Sequence, residues 1–173
     1  MLILVVGGAA SGKSAFAESL ACQGALPRVY IATMQAMDEE CEIRIARHRE
    51  MRAGKGFSTL ECPLGLADAD IHAKTALLEC LSNLAANEMF APGMTPKKAK
   101  QNILNGIDLL CRRCERVVIV SNEIFCDGID YDASTQAYRV LLAQLNRAIA
   151  ERADCVFEVV HGIPIRHKGG THE

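Results

Sequence analysis

The chain has 173 residues, half of them hydrophobic and 23% charged, with a formal net charge of −2. That suffices for one domain with a sizeable core and excludes a disordered chain. The near-neutral balance gives no argument for a nucleic-acid partner, and no stretch approaches the ~20 apolar residues of a membrane span.

The chain begins with an apolar run at 2–6 (LILVV), read as the first strand. It is too short for a signal peptide, lacks a basic start, and points to a cytoplasmic protein. Gly7, Gly8, Ala9, Ala10, Ser11, Gly12, Lys13 and Ser14 follow, and Gly7, Gly12, Lys13 and Ser14 complete the phosphate-binding pattern G-x-x-x-x-G-K-S. Glycines let such a loop wrap tightly, so successive backbone N–H groups aim at phosphate oxygens. A helix predicted over 13–22 adds its positive N-terminal end, Lys13 adds a full charge, and Ser14 offers a hydroxyl to Mg²⁺. The position of the motif, directly after a strand, argues for a bound nucleoside triphosphate.

Further strand-like runs lie at 28–32, 75–79, 117–121 and 155–160. They are short and rich in Val, Ile and Leu, as strands buried on both faces should be. Helical periodicity fills 37–52, 97–113 and 133–152, the last with Tyr138, Leu141, Leu142, Leu145 and Ile149 on one stripe. The segment 91–96 reads as a loop, and 53–56 ends the second helix. The alternation predicts one α/β domain over 1–173, P-loop NTPase-like, with a mainly parallel sheet and helices on both faces.

Ligands of such sheets sit at the carboxyl ends of the strands. That rule selects Thr33, Met34 and Gln35 after the second strand, Glu79 at the end of the third apolar run, and Asn122 and Glu123 after the fourth. Glu79 is placed to support a metal ion beside the phosphate loop. The eight cysteines read as reduced core residues; Cys111 and Cys114 form a C-x-x-C without the second pair that a zinc site requires.

In the 37–52 helix Arg44, His48 and Arg52 are spaced to share a face, flanked by Arg47 and Arg49. Guanidinium groups around a lone imidazole disfavour its charged form and leave a neutral nitrogen able to act as nucleophile or base. The same arginines could hold a triphosphate or a leaving pyrophosphate.

The combination VGGAASGKS, YIATMQ, RIARHRE, LLEC, SNE and VVHGIPIRHK resembles the bifunctional adenosylcobinamide kinase/adenosylcobinamide-phosphate guanylyltransferase family, in collinear order through almost the whole chain. The resemblance implies that a nucleoside triphosphate, GTP or ATP, phosphorylates adenosylcobinamide. GTP then guanylylates a histidine, and the substrate phosphate takes the GMP to give adenosylcobinamide-GDP, a step in assembling the nucleotide loop of cobalamin. On this likeness the guanylylated histidine is His48. The nucleotide contacts are residues 7–14, Thr33, Met34, Gln35, Arg49, Glu50, Met51, Arg52, Glu61 and Glu79. Mg²⁺ falls to Ser14 and Glu79, and the family's homo-oligomers are typically trimers.

The chain departs from the family at several places. Ala10 stands where members commonly carry Arg, and His161 replaces a small residue before Gly-Ile-Pro. After the fourth strand Phe125 replaces a glycine, a proline is gone, and one residue is inserted. Two other readings stay open at this point: a small-molecule kinase that uses only the phosphate loop, and a nucleotide-binding regulator without turnover.

Overall fold

The computed structural model describes residues 1–35, 54–125 and 128–170. Seven strands are described: β1 (Leu2–Val6), β2 (Arg28–Ala32), β3 (Phe57–Glu61), β4 (Thr75–Glu79), β5 (Arg116–Val120), β6 (Cys155–Val160) and β7 (Ile163–Lys168). The described helices are α1 (Lys13–Cys22), α2 (Leu81–Phe90), α3 (Pro96–Arg113) and α4 (Ala133–Arg152). The strands form one sheet in the order β3-β2-β4-β5-β1-β6-β7. Every neighbouring pair is parallel except β6 and β7, which form an antiparallel hairpin.

Strand alternation sorts the core into two layers. Leu2 and Leu4 of β1, with Ile31, Leu78 and Ile119, pack against α2, α3 and α4. Ile3 and Val5, with Tyr30, Leu77 and Val118, pack against Ala17 and Ala21 of α1. Helices therefore cover both faces, as the strand composition requires. On α4, Leu141, Leu142, Leu145 and Ile149 are buried as the stripe predicts, and the Tyr138 hydroxyl donates to the Ser82 carbonyl at 3.1 Å.

Several elements differ from the sequence expectations. β3, β7 and α2 are additional. β3 and β7 occupy the two sheet edges, where one flank faces solvent and the continuous apolar signature is lost. β5 starts and ends one residue earlier than expected. α3 starts at Pro96, because the Thr95 side chain caps it by accepting from the Lys98 N–H at 3.3 Å, leaving 91–95 as the loop. Cys62, Cys114 and Cys155 are buried free thiols, but Cys111 is exposed on the outer side of α3, against the core reading. Burial, reinforced by Cys111, pushes the Cys114 thiol up to about 11, so it carries no thiolate at neutral pH. The expected helix over 37–52 lies outside the described residues, as do Cys41 and Cys126.

A short 3₁₀ turn at Leu66–Asp68 packs directly on α3. A Cβ at Gly106 would stand 2.7 Å from the Leu66 side chain and 3.0 Å from its backbone carbonyl carbon. Gly106→Ala would gain about 1 kcal/mol of helix propensity. Overpacking costs about 1–3 kcal/mol and prevails here because backbone has to move. Urea denaturation of this variant should show a lower midpoint; a higher one would contradict the close approach.

Candidate nucleotide site

The phosphate loop connects β1 to α1, and its geometry follows from its residue types. Gly12 has φ 90 and Ala10 φ 54, both in the left-handed region, and Gly12 precedes the first helical residue, Lys13. A Cβ on Gly7 would stand 2.6 Å from both the Ser11 hydroxyl and the Val159 carbonyl oxygen, so only glycine fits there. Ala9 and Ala10 are exposed, Gly8, Ser11 and Ser14 are half-buried, and Lys13 is only 9% exposed.

The carbonyl oxygens of this loop are taken up by its neighbours. Gly7 O accepts from the Glu123 N–H at 3.0 Å, just past β5. Gly8 O accepts from the Ser11 N–H at 3.3 Å and from the Lys13 ammonium at 2.9 Å. Ser11 O accepts from the Gly162 N–H at 2.8 Å, in the β6–β7 turn, and Gly12 O accepts from Phe16 inside α1. Carbonyl oxygens repel phosphate oxygens, so tying them to neighbouring donors leaves the amide side of the loop for an anion.

The parallel register lines up the carboxyl ends of β3, β2 and β4. Glu61 and Glu79 both pair with Ala32, and side chains in register point to the same face. That face is the α1 side, shown by Tyr30 and Leu77 two residues earlier on β2 and β4. The Tyr30 hydroxyl donates to the Glu79 carboxylate at 3.3 Å. Burial lowers the Lys13 pKa, while Cys80 and Glu79 pull it back up. Burial also raises the Cys80 thiol, which leaves it neutral, so Glu79 supplies the opposing charge that Lys13 feels.

Thr33 takes a different place from the one expected. It is fully buried, its hydroxyl donates to the Cys80 carbonyl at 2.9 Å, and the same oxygen accepts from the Cys80 N–H at 2.8 Å. Its carbonyl accepts from the Asn87 side chain at 2.9 Å. Thr33 therefore clamps the end of β2 to the end of β4. Met34 is half-buried and Gln35 exposed, so of the three it is these two that have surface to offer. His48, Arg49, Glu50, Met51 and Arg52 lie outside the described residues.

A polar network that motif reasoning missed supports the same edge. Asn122 donates to the Ser82 hydroxyl at 2.6 Å, Ser82 meets the Cys80 sulfur at 3.1 Å, and Ser121 donates to Asn146 at 2.6 Å. The Asn122 position after β5 was the available signal, but its partners on α2 and α4 were not.

Thr33→Val keeps the side-chain shape and removes both bonds to Cys80. The Cys80 carbonyl keeps the Leu84 N–H at 3.2 Å, but the buried Cys80 amide is left without its partner. That costs about 1–3 kcal/mol, so thermal or urea unfolding should show the loss. Nucleotide affinity should fall far less. A variant of unchanged stability that no longer binds nucleotide would instead put Thr33 in the ligand contact.

Residues 3–167 match the family model described as cobinamide kinase / cobinamide phosphate guanyltransferase. The bifunctional adenosylcobalamin biosynthesis protein CobU of Salmonella typhimurium is 34% identical, the alignment covering 97% of this chain and 100% of that protein. Its namesake in Escherichia coli is 33% identical with the same coverage, and CobP of Pseudomonas aeruginosa is 34% identical over 96% of each chain. Among solved structures, the KaiC-like protein PH0186 of Pyrococcus horikoshii has a TM-score of 0.53 at 14% identity, covering 91% of this chain and 69% of that one. The flagellar accessory protein FlaH of Methanocaldococcus jannaschii has a TM-score of 0.51 at 13% identity, covering 98% and 78% respectively. These two show the P-loop NTPase-like fold alone. The family match, and relatives aligned over nearly the full chain, settle the assignment: the chain belongs to the cobinamide kinase / cobinamide phosphate guanyltransferase family.

Proposed function

We propose that the chain performs both reactions of its family on adenosylcobinamide, with the phosphate loop serving each nucleotide in turn. The observation that carries this reading is the loop itself, with its carbonyls tied outward and Lys13 buried against it opposite Glu79.

In the kinase half, the aminopropanol hydroxyl oxygen of adenosylcobinamide attacks the γ-phosphorus of GTP or ATP. The bond to the nucleoside diphosphate breaks, and the hydroxyl proton is lost. The protein positions the partners and neutralises charge, which is most of what phosphoryl transfer asks of it. Lys13 and the amides at the start of α1 perform that task.

In the guanylyltransferase half, the neutral imidazole of His48 attacks the α-phosphorus of GTP and pyrophosphate leaves. The phosphate oxygen of adenosylcobinamide phosphate then attacks the same phosphorus, breaking the P–N bond and freeing His48. A covalent intermediate divides one difficult transfer into two displacements. On this reading Arg49, Glu50, Met51 and Arg52 contact the nucleotide, together with Glu61 and Glu79.

Mg²⁺ fits the donors present. Glu79 and the Ser14 hydroxyl are hard oxygen donors, and Mg²⁺ is commonly held by one or two such protein oxygens together with substrate phosphates. Bound there, Mg²⁺ would supply charge neutralisation at the phosphates. The protein acts as a homo-oligomer, a trimer on the family's pattern, in the cytoplasm; among the described residues no helix is long and apolar enough to cross a membrane.

Incubation with α-labelled GTP should leave acid-labile label on the protein, and His48→Ala should remove it while adenosylcobinamide phosphate still forms. Label that survives His48→Ala would reject the histidine. Kinase product with no label at any stage would reduce the protein to a kinase.

The lowered pKa of Lys13 has a consequence for binding. The ammonium is the form that meets the triphosphate, and it is lost as pH rises through a pKa below the ordinary 10.5. ATP affinity should hold at neutral pH and fall on the alkaline side earlier than an unperturbed lysine allows. Lys13→Arg, charged throughout, should bind with a flatter alkaline profile. Identical profiles for the two proteins would remove Lys13 from the contact.

A further inference from the structure

Asn87 lies on α2 and reaches the ends of two strands at once. Its side-chain amide nitrogen donates to the Thr33 carbonyl at 2.9 Å, just past β2, and to the Pro63 carbonyl at 3.1 Å, just past β3. An asparagine amide carries two N–H donors, so this pair of carbonyls uses both, and a carboxylate could not take its place. The next residue, Glu88, is buried and accepts from the Gly65 N–H at 2.9 Å, which ties the chain after β3 to α2 a second time.

β3 needs such a tie because it is an edge strand paired with β2. The Cys62 N–H still donates to the Ala32 carbonyl at 2.8 Å, and past that bond Asn87 joins the two segments. Thr33 is itself fixed to the end of β4, through its N–H to the Glu79 carbonyl at 3.2 Å and its hydroxyl to Cys80. Asn87 therefore passes the position of β4, the strand that carries Glu79, on to the end of β3. Met34 and Gln35 follow Thr33 directly, and Glu61 precedes Pro63 by two residues.

The spacing of the strands decides which part of a nucleotide those residues meet. Phosphates held at the end of β1 lie three strands from β2 and four from β3. At ~4.8 Å per strand that is about 14 and 19 Å, too far for a phosphate contact and suited to the nucleoside end. We infer that Asn87 is a positioning residue of the nucleotide site: it holds Gln35 and Glu61 at the separation in which the nucleoside end of GTP meets both. This rests on the nucleotide contacts proposed above and adds to them the side chain that sets their spacing. Strand ends fixed in advance need no rearrangement on binding, so affinity is not lost to that cost.

The test measures binding of GTP and of inorganic tripolyphosphate, which has the phosphates but no nucleoside, to the full-length protein, Asn87→Ala and Asn87→Asp. Alanine suits a helix interior and leaves both carbonyls to water at this half-buried position, so Asn87→Ala should fold. Asn87→Asp keeps the size but sets a carboxylate against two carbonyl oxygens. Both variants should bind GTP about tenfold more weakly, because only part of the population then has the strand ends in place. Tripolyphosphate affinity should be the same in all three proteins. A lower Tm with GTP affinity unchanged would mark Asn87 as serving the fold alone and overturns the inference. Equal weakening of GTP and tripolyphosphate overturns it too, since the disturbance would then lie in the phosphate loop. Should Asn87→Asp fail to fold, Asn87→Ala decides by the same two affinities. An unsubstituted protein that binds tripolyphosphate as tightly as GTP would be a different failure, that of the proposed contacts at Gln35 and Glu61.

Discussion

A loop that holds several anionic oxygens has to keep its own carbonyl oxygens turned away from them. Here that constraint is met from three directions. Gly7 O is held from the end of β5, Ser11 O from the β6–β7 turn, and Gly8 O from within the loop by the Ser11 amide and the Lys13 ammonium. The two outer bonds come from the strands that flank β1 on either side, so the shape of the loop is a consequence of the sheet order. Glycine at 7 and 12 allows the approach, because a side chain at either would press on Val159 or Gly162.

The same sheet order sets the charges. Glu79 ends β4, one strand removed from β1, with β5 between them. Its carboxylate projects on the α1 face, where it takes the Tyr30 hydroxyl and offsets the burial of Lys13. Thr33 and the Ser82–Asn122 pair fix this edge by ordinary hydrogen bonds within a buried setting. Buried and satisfied, such a network holds one arrangement, because every alternative leaves a donor or acceptor without a partner. The cradle and the carboxylate that faces it are thus positioned by residues that need not touch the nucleotide.

How much of this was legible in the sequence divides along physical lines. β1, β2, β4, β5 and β6 stood out because each is buried on both faces and reads as an apolar run. β3 (FSTLE) and β7 (IPIRHK) did not, because an edge strand mixes polar with apolar residues; β7 is exposed along its whole length. α2 escaped for a different reason. Its Ser82 and Asn87 are polar yet turned into the protein, where they bond to Asn122, Thr33 and Pro63, and this blurs the apolar stripe. The phosphate loop was legible because its chemistry is local and the motif is contiguous, and Glu79 because strand ends are a rule of the fold class. Glu61 came only with the family resemblance, and Thr33 showed as a strand-end residue without revealing that its hydroxyl is already spent. The braces at Glu123 and Gly162 are backbone bonds between distant segments, which no side-chain pattern encodes.

The claim on which the account depends is that the loop is shaped before the nucleotide arrives. Amide hydrogen exchange of the protein with and without GTP measures this directly. The Glu123 and Gly162 amides should be protected in the nucleotide-free protein and change little on binding, while unbonded amides of the loop should gain protection only with GTP. Fast exchange at Glu123 and Gly162 without nucleotide, slowing only when GTP is added, would show that the ligand builds the cradle and would contradict the account.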